Sequence, residues 1–379
     1  MIKFILTLLS ALGMWKPRDW HGIKAFLYYI YQFTVFFCNF LFIISSILII
    51  ELKDINVEEL IDNMSLLLAI INARQKMSLI IFERRSIEYI SDKLGKSPFK
   101  SCDSIEKAIS TKFDGIVRNV FICYMITIGA MLVYCGSRFT EVSPLETLPF
   151  NGWFPYNYSS PTVYWLTAAF QVIAINITNG IDLLMDLLLS SILCSMCGQI
   201  HLLKHRFKVM LEALKVMTSK NDGSDMATTE KLMISEWVEY HIDLVDLIKY
   251  TNTVFSNVIL LQYTVSSVIL CAVSFLMSRT EIMSMTFAGF LGYLITFNTQ
   301  IFQQCYCAHM LTHESIELIA GIYEANWPSL SNNTRKSVMI IMYECHKPIM
   351  ITSSFFVILS LDSYTKIVKL AYTIFNVLI

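Results

Sequence analysis

Pro161-Thr-Val-Tyr-Trp-Leu-Thr-Ala-Ala-Phe-Gln-Val-Ile-Ala-Ile-Asn-Ile-Thr-Asn-Gly-Ile-Asp-Leu-Leu-Met-Asp-Leu-Leu-Leu-Ser-Ser-Ile-Leu-Cys-Ser-Met-Cys197 decides the fold class. A membrane span needs about 20 mostly apolar residues. This run is far longer, and Asp182 and Asp186 are its only charged residues. Helical periodicity continues to about Lys220 without a proline, so the segment predicts one helix that leaves the bilayer and runs on into water. Working outward, residues 25–50, 57–81, 118–138, 254–278, 282–308 and 349–378 are six further candidate spans. The expected fold is all-α, a polytopic membrane protein with seven transmembrane helices.

Composition agrees. The chain is 55% apolar and only 16% charged, against about 45–50% and 25% for a soluble domain. Its mean hydropathy is +0.55. So apolar a surface needs lipid as part of its solvent. A net charge of −1 offers no basic face for nucleic acid. The ten cysteines show no secreted-scaffold spacing, and Cys194-x-x-Cys197 and Cys305-x-Cys307 lie in apolar helices, where packing is their expected role. His201/His205 and His309/His313 lack the Glu of a metalloprotease motif. No nucleophile–base or metal constellation stands out, so no enzyme, catalytic residue, metal or cofactor is expected. Residues 1–15 have an apolar run but no small-x-small cleavage site, and they predict an amphipathic segment on the inner membrane surface.

Lysines and arginines set the expected orientation. With the N-terminus inside, inner segments hold 22 of them, and outer segments hold only Lys53, Arg138 and Arg279. The N-terminus is therefore expected in the cytoplasm and the C-terminus outside, the reverse of a G-protein-coupled receptor. The Asp/Glu-Arg-Tyr and Asn-Pro-x-x-Tyr marks of such receptors are also missing. Four glycosylation sequons occur, at Asn63, Asn157, Asn176 and Asn332. Only Asn157 has clearance from the membrane on the outer side, so it is the expected glycan site.

Two blocks carry a family resemblance. One is Leu148-Pro-Phe-Asn-Gly-Trp-Phe-Pro-Tyr-Asn-Tyr-Ser-Ser-Pro161 with Tyr164-Trp165 and Gln171. The other is Tyr323-Glu-Ala-Asn-Trp-Pro-Ser-Leu330, Lys347-Pro348, Leu359-Ser-Leu-Asp-Ser-Tyr-Thr-Lys366 and Phe375-Asn-Val377. Together they resemble insect odorant receptors. The resemblance implies a non-selective cation channel, a heterotetramer gated by a small volatile ligand in the plasma membrane of olfactory neurons. It further implies partnership with a shared co-receptor whose second inner loop is longer than residues 201–250 here, so the chain is expected to be an odour-tuned subunit. Gustatory receptors share the architecture and are the nearest alternative. A transporter would need midplane carboxylates and an internal repeat, and no repeat is visible.

The resemblance also implies a ligand pocket among spans two, three, four and six, in the outer half of the bilayer. Counting ~10–15 Å inward at ~1.5 Å per residue selects Met64, Leu67, Leu68 and Ile71 on span two, and Met131 and Tyr134 on span three. Span four offers Phe170, Ile173, Ala174 and Ile177, and span six offers Phe290 and Tyr293. Their spacings let each set share a face, and the two phenols need partners that a ligand oxygen could supply.

Span seven carries Asp362, Lys366 and Lys369. Such charges usually face water or each other, so Asp362 and Lys366 suggest either a buried ion pair or a water-filled conduit; the family's pore-lining seventh helix favours the conduit. Tyr372, Phe375, Asn376 and Ile379 recur along one stripe that suits a narrow hydrophobic gate. Asp182 and Asp186 are expected in structural ion pairs with Arg74 or Lys76. The chain then divides into spans one to six with the pocket (1–308), a cytoplasmic anchor (309–348) and the pore helix (349–379). In the anchor, Pro328 ends one helix and residues 332–346 form another, with Met339, Met342 and Tyr343 on its apolar side.

Overall fold

A computed structural model describes residues 1–52, 56–140, 147–219, 226–325, 327–353 and 357–378. The described chain forms α1 (Ile2–Ala11), α2 (Ile23–Leu52), α3 (Val57–Phe82), α4 (Arg84–Leu94), α5 (Ser104–Thr140), α6 (Pro161–Ser219) and α7 (Met226–Arg279). Then follow α8 (Met285–Glu324), a short 3-10 turn at Trp327–Ser329, α9 (Asn332–Cys345), a two-residue antiparallel pair β1 (Thr352–Ser353) and β2 (Val357–Ile358), and α10 (Leu361–Leu378). By length and apolarity α2, α3, α5, α6 and α7 can each cross a membrane. α8 and α10 complete the seven-helix membrane fold. α8 interrupts its apolar run with Gln300, Gln303 and Gln304, which are buried against neighbouring helices.

α6 is the axis of the bundle: 83% of its most apolar window is buried inside the protein, against 28% for α2. Every lipid-facing helix keeps one apolar stripe outward, and α2 does so with Phe26, Phe33, Phe37 and Phe40. α5, α6, α7 and α8 all continue beyond the bilayer length on the same side, where α7 and α8 also pack on α9.

Four expectations change. Among the described residues candidate span 349–378 is helical only from Leu361, because Pro348 cannot continue a helix and Thr352–Ser353 pairs with Val357–Ile358. Ser360 then caps α10, its hydroxyl accepting from the Ser363 amide at 3.2 Å. The N-terminal segment does more than lie on a surface. α1 packs against α6, with Ile5 and Leu9 fully buried, and Leu12 lies close to Gly180, where a Cβ would be 3.2 Å from its methyl group. In α9 the inward side is Thr334, Val338, Ile341 and Cys345, while Met339 and Tyr343 are exposed. Finally, Asp362 and Lys366 make no ion pair with one another: both are exposed along a cavity instead.

Candidate functional site

The outer third of the bundle encloses an aromatic cluster built by α3, α5, α8 and the loop before α6. Tyr134 on α5 stacks on Tyr293 of α8, with centroids 4.8 Å apart and planes 11° from parallel. Tyr293 meets Phe297 edge-on at 5.0 Å, while Phe290 and Phe150 tilt against Tyr134 at 6.5 and 6.3 Å. Glycine permits this approach. A Cβ at Gly292 would lie 2.5 Å from the carbonyl oxygen of Ala130, so only glycine lets α8 come so near α5.

Phe150 closes the cluster from outside, and its ring is fully buried. Gln171 of α6 fixes it by the backbone, donating to the Phe150 carbonyl at 2.7 Å and accepting from its amide at 3.4 Å. Tyr164 donates to the Thr147 carbonyl at 2.9 Å, and the Trp153 amide donates to Ser45 of α2 at 3.0 Å. Gly152 is required there, since a Cβ would stand 2.8 Å from the Ser45 hydroxyl. The loop is thus stitched down as a lid.

One ion pair borders the cluster. Arg138 of α5 pairs with Asp62 of α3, and its guanidinium lies 5.3 Å from the Tyr134 ring centroid and 5.9 Å from those of Phe150 and Phe290. The buried Tyr134 hydroxyl has Arg138, one turn along α5, as its polar neighbour, and among the described residues the Asn63 amide nitrogen has no hydrogen-bond partner. Tyr293 donates to the Ser65 carbonyl at 3.3 Å. The rings fill the cluster themselves, and their faces and the positive edge at Arg138 would meet a small neutral molecule only where the rings part.

The expected pocket residues divide by face. Leu67, Met131, Tyr134, Ala174, Phe290 and Tyr293 are buried; Leu68, Phe170 and Ile177 are half-buried. Met64, Ile71 and Ile173 lie on the outside of the bundle at 40%, 37% and 58% exposure. The inward stripe of α3 runs through Asp62, Leu66 and Ile70, and that of α6 through Gln171, Ala174 and Thr178. Phe150, Gln171, Asp62 and Arg138 escaped the sequence reading. For Gln171, Asp62 and Arg138 the signal was a polar or charged residue near the mouth of an apolar run, whereas Phe150 in the loop gave none.

Around α10 two cavities open. One of about 670 Å³ is lined by Asp362, Ser363 and Lys366 with Thr264, Ser267 and His309 of α7 and α8. The other, about 610 Å³ and mostly apolar, lies between Val368, Ala371 and Tyr372 and the facing ends of α7 and α8. Between them, Tyr364 holds α10 to α8 by donating to Asn298 at 2.7 Å and by packing edge-on against Phe302. Of the expected gate stripe, Tyr372 and Asn376 are exposed, Phe375 lies within α10, and Ile379 falls outside the described residues. Asn157 is exposed before α6, and the Ser159 hydroxyl of its sequon donates to its amide oxygen at 2.6 Å.

Seven membrane helices around a packed aromatic cluster define a polytopic helical membrane protein. The chain belongs to the 7tm odorant receptor family, whose model matches residues 56–372. It is 25% identical over 315 residues to "Odorant receptor 19a" of Drosophila melanogaster, covering 82% of this chain and 76% of that one. The "Odorant receptor coreceptor" of Aedes aegypti is also 25% identical, but over 146 residues, 38% of this chain and 30% of that protein. Longer similarity to odorant receptors than to the coreceptor fits an odour-tuned member. The fold matches the insect olfactory receptor OR5 from Machilis hrabei in complex with eugenol, with a TM-score of 0.84 at 17% identity over 100% of this chain and 97% of that one.

Proposed function

We propose that this protein is the odour-tuned subunit of a ligand-gated, non-selective cation channel that opens in a heterotetramer with coreceptor subunits in the plasma membrane. The observation that carries the reading is a buried aromatic cluster around Tyr134 and Tyr293 in the outer third of the bundle, in a chain of the odorant receptor family. The ligand is a small volatile that enters between Leu67, Met131, Tyr134, Ala174, Phe290 and Tyr293 by displacing rings that now touch each other. Its binding spreads α5 from α8. α8 holds α10 through Asn298 and Tyr364, so movement of α8 reaches the pore helix. Bulky groups near the outer end of α10, Tyr372 and Phe375 among them, keep a narrow path dry until that helix shifts. The charge bias puts the N-terminus in the cytoplasm, so the enclosure opens toward the outside, where odorants arrive.

Expression with and without a coreceptor, under an odour panel, tests this directly. The expected outcome is odour-evoked cation current only when both chains are present. Robust odour responses from this chain alone would sink the heteromeric reading.

A further inference from the structure

About 10 Å inward from Tyr293, at ~1.5 Å per residue along α8, lies a second polar centre to which the ligand reading assigns no task. Lys76 of α3 sits between two carboxylates of α6, 2.8 Å from Asp182 and 2.6 Å from Asp186. Lys76 is 1% exposed and Asp186 2%. Amide donors complete the shell. Asn72 and Gln300 donate to Asp182 at 3.3 and 2.7 Å, and Gln262 and Gln304 donate to Asp186 at 3.0 and 2.8 Å. Arg74, the other cation of α3, turns away to the Phe36 carbonyl at 3.2 Å and stacks on the Phe36 ring.

Two deficits remain. Two carboxylates face one ammonium, so with both ionised a net charge of −1 is left inside a membrane bundle. An uncompensated buried charge costs several kcal/mol even after relaxation. The second deficit is of donors. The amide oxygens of Asn72, Gln300 and Gln304 are buried and have no hydrogen-bond partner, although each side chain already serves a carboxylate through its nitrogen. A carboxylate offers about four lone-pair sites, and each of these two receives three donors, so both keep spare acceptor capacity. Oxygens in excess and positive charge in deficit are the two marks of a cation site.

We propose that the Asp182–Asp186 centre binds a small monovalent cation, with Na⁺ as its probe, held by carboxylate and amide oxygens of α3, α6 and α8. Such oxygens replace an ion's hydration shell inside a membrane protein. The ion balances the charge and satisfies the amide oxygens at one stroke. It also ties together three of the helices that build the aromatic enclosure above it. The site is independent of whether the chain gates a channel, because its evidence is charge and hydrogen-bond accounting alone.

The test is thermal unfolding of the full-length chain in detergent micelles at constant ionic strength, with NaCl replaced stepwise by choline chloride. Constant ionic strength keeps screening equal, and a bound ion stabilises by mass action. The expected result is a Tm that rises with Na⁺ and saturates. Asp182→Asn, which keeps the shape but removes the surplus charge, abolishes the rise, and Gln300→Leu weakens it. Should either variant fail to fold, the wild-type titration still decides. Identical melting in Na⁺ and choline overturns the proposal. So does melting that follows pH with no Na⁺ effect, since a proton then neutralises the pair.

Discussion

Tyr134 and Tyr293 share one stack but do different jobs, and conservative substitutions separate them. The Tyr134 hydroxyl makes no bond to another helix, with only Arg138 of its own helix beside it, so Tyr134→Phe leaves surface expression near normal. If a ligand oxygen is its partner, the loss weakens odour potency by about two- to twelvefold, the equivalent of ~0.5–1.5 kcal/mol. Tyr293 instead spends its hydroxyl on Ser65 of α3. Tyr293→Phe therefore lowers thermal stability as well as changing potency, and a melting curve tells the two apart. Met131→Ala and Phe290→Ala enlarge the enclosure and should reorder odour preference. Met64→Ala and Ile173→Ala act on outward-facing side chains and should leave concentration–response curves in place. Curves that move for the outward pair and stay still for the inward one would put the binding site on the opposite faces of α3 and α6.

At the scale of elements, α10 packs on α7 and α8, with Tyr364 pinning its first turn to Asn298. It spans 18 residues, ~27 Å at 1.5 Å per residue, which is barely the thickness of the hydrocarbon core. A cavity opens on each side of Tyr364, and Asp362, Lys366 and Lys369 are exposed along the helix. Charges placed so are too costly to face lipid, and a water-filled path beside α10 is their natural environment. A small polar residue at Phe375 should then raise resting current without changing which odorants act. Cysteines at 375 and 376 should react faster with charged thiol reagents while odorant is present; equal inertness in both states would remove α10 from the ion path. At the other end of the molecule, α9 keeps Ile340 and Tyr343 exposed at 64% and 70% while burying Val338 and Ile341. An apolar face left outward on a helix beyond the bilayer suits contact between subunits. Ile340→Ser with Tyr343→Ser should reduce recovery of the coreceptor when this chain is captured, with the fold of the single chain intact.

For the whole molecule, orientation is the property on which function turns, since the enclosure must face the side from which odorants come. Lysine and arginine counts of 22 against 3 set it. Asn157 and Asn332 report it chemically, because both are exposed and lie near opposite ends of the bundle. Glycan is expected on Asn157 and never on Asn332. Mass spectrometry that finds sugar on Asn332 would invert the protein and overturn the receptor reading with it. Asn63 is buried, which withholds that sequon from a glycan in the folded protein.

Length, apolarity and charge bias along the chain determined the membrane class, the seven helices and the long inward extensions, because each of these is a property of local composition measured against a bilayer of known thickness. Asp182 and Asp186 also announced an ion pair, since carboxylates deep in an apolar run need a cation, although the choice of Lys76 over Arg74 took the fold to make. Rotational phase was settled by tertiary structure. A mostly apolar stretch looks much the same to lipid as to a neighbouring helix, and only scattered polar residues, Asp62 on α3 and Gln171 and Asp182 on α6, hint at the face that buries Leu66 and Ala174 rather than Met64 and Ile173. The faces are chosen where small residues let backbones meet, as Gly292 does against Ala130, and where polar groups find partners across helices, as Asp62 does with Arg138 and Gln171 with Phe150. Those partners lie tens of residues apart or more, and only packing the helices together reveals which pairs are made.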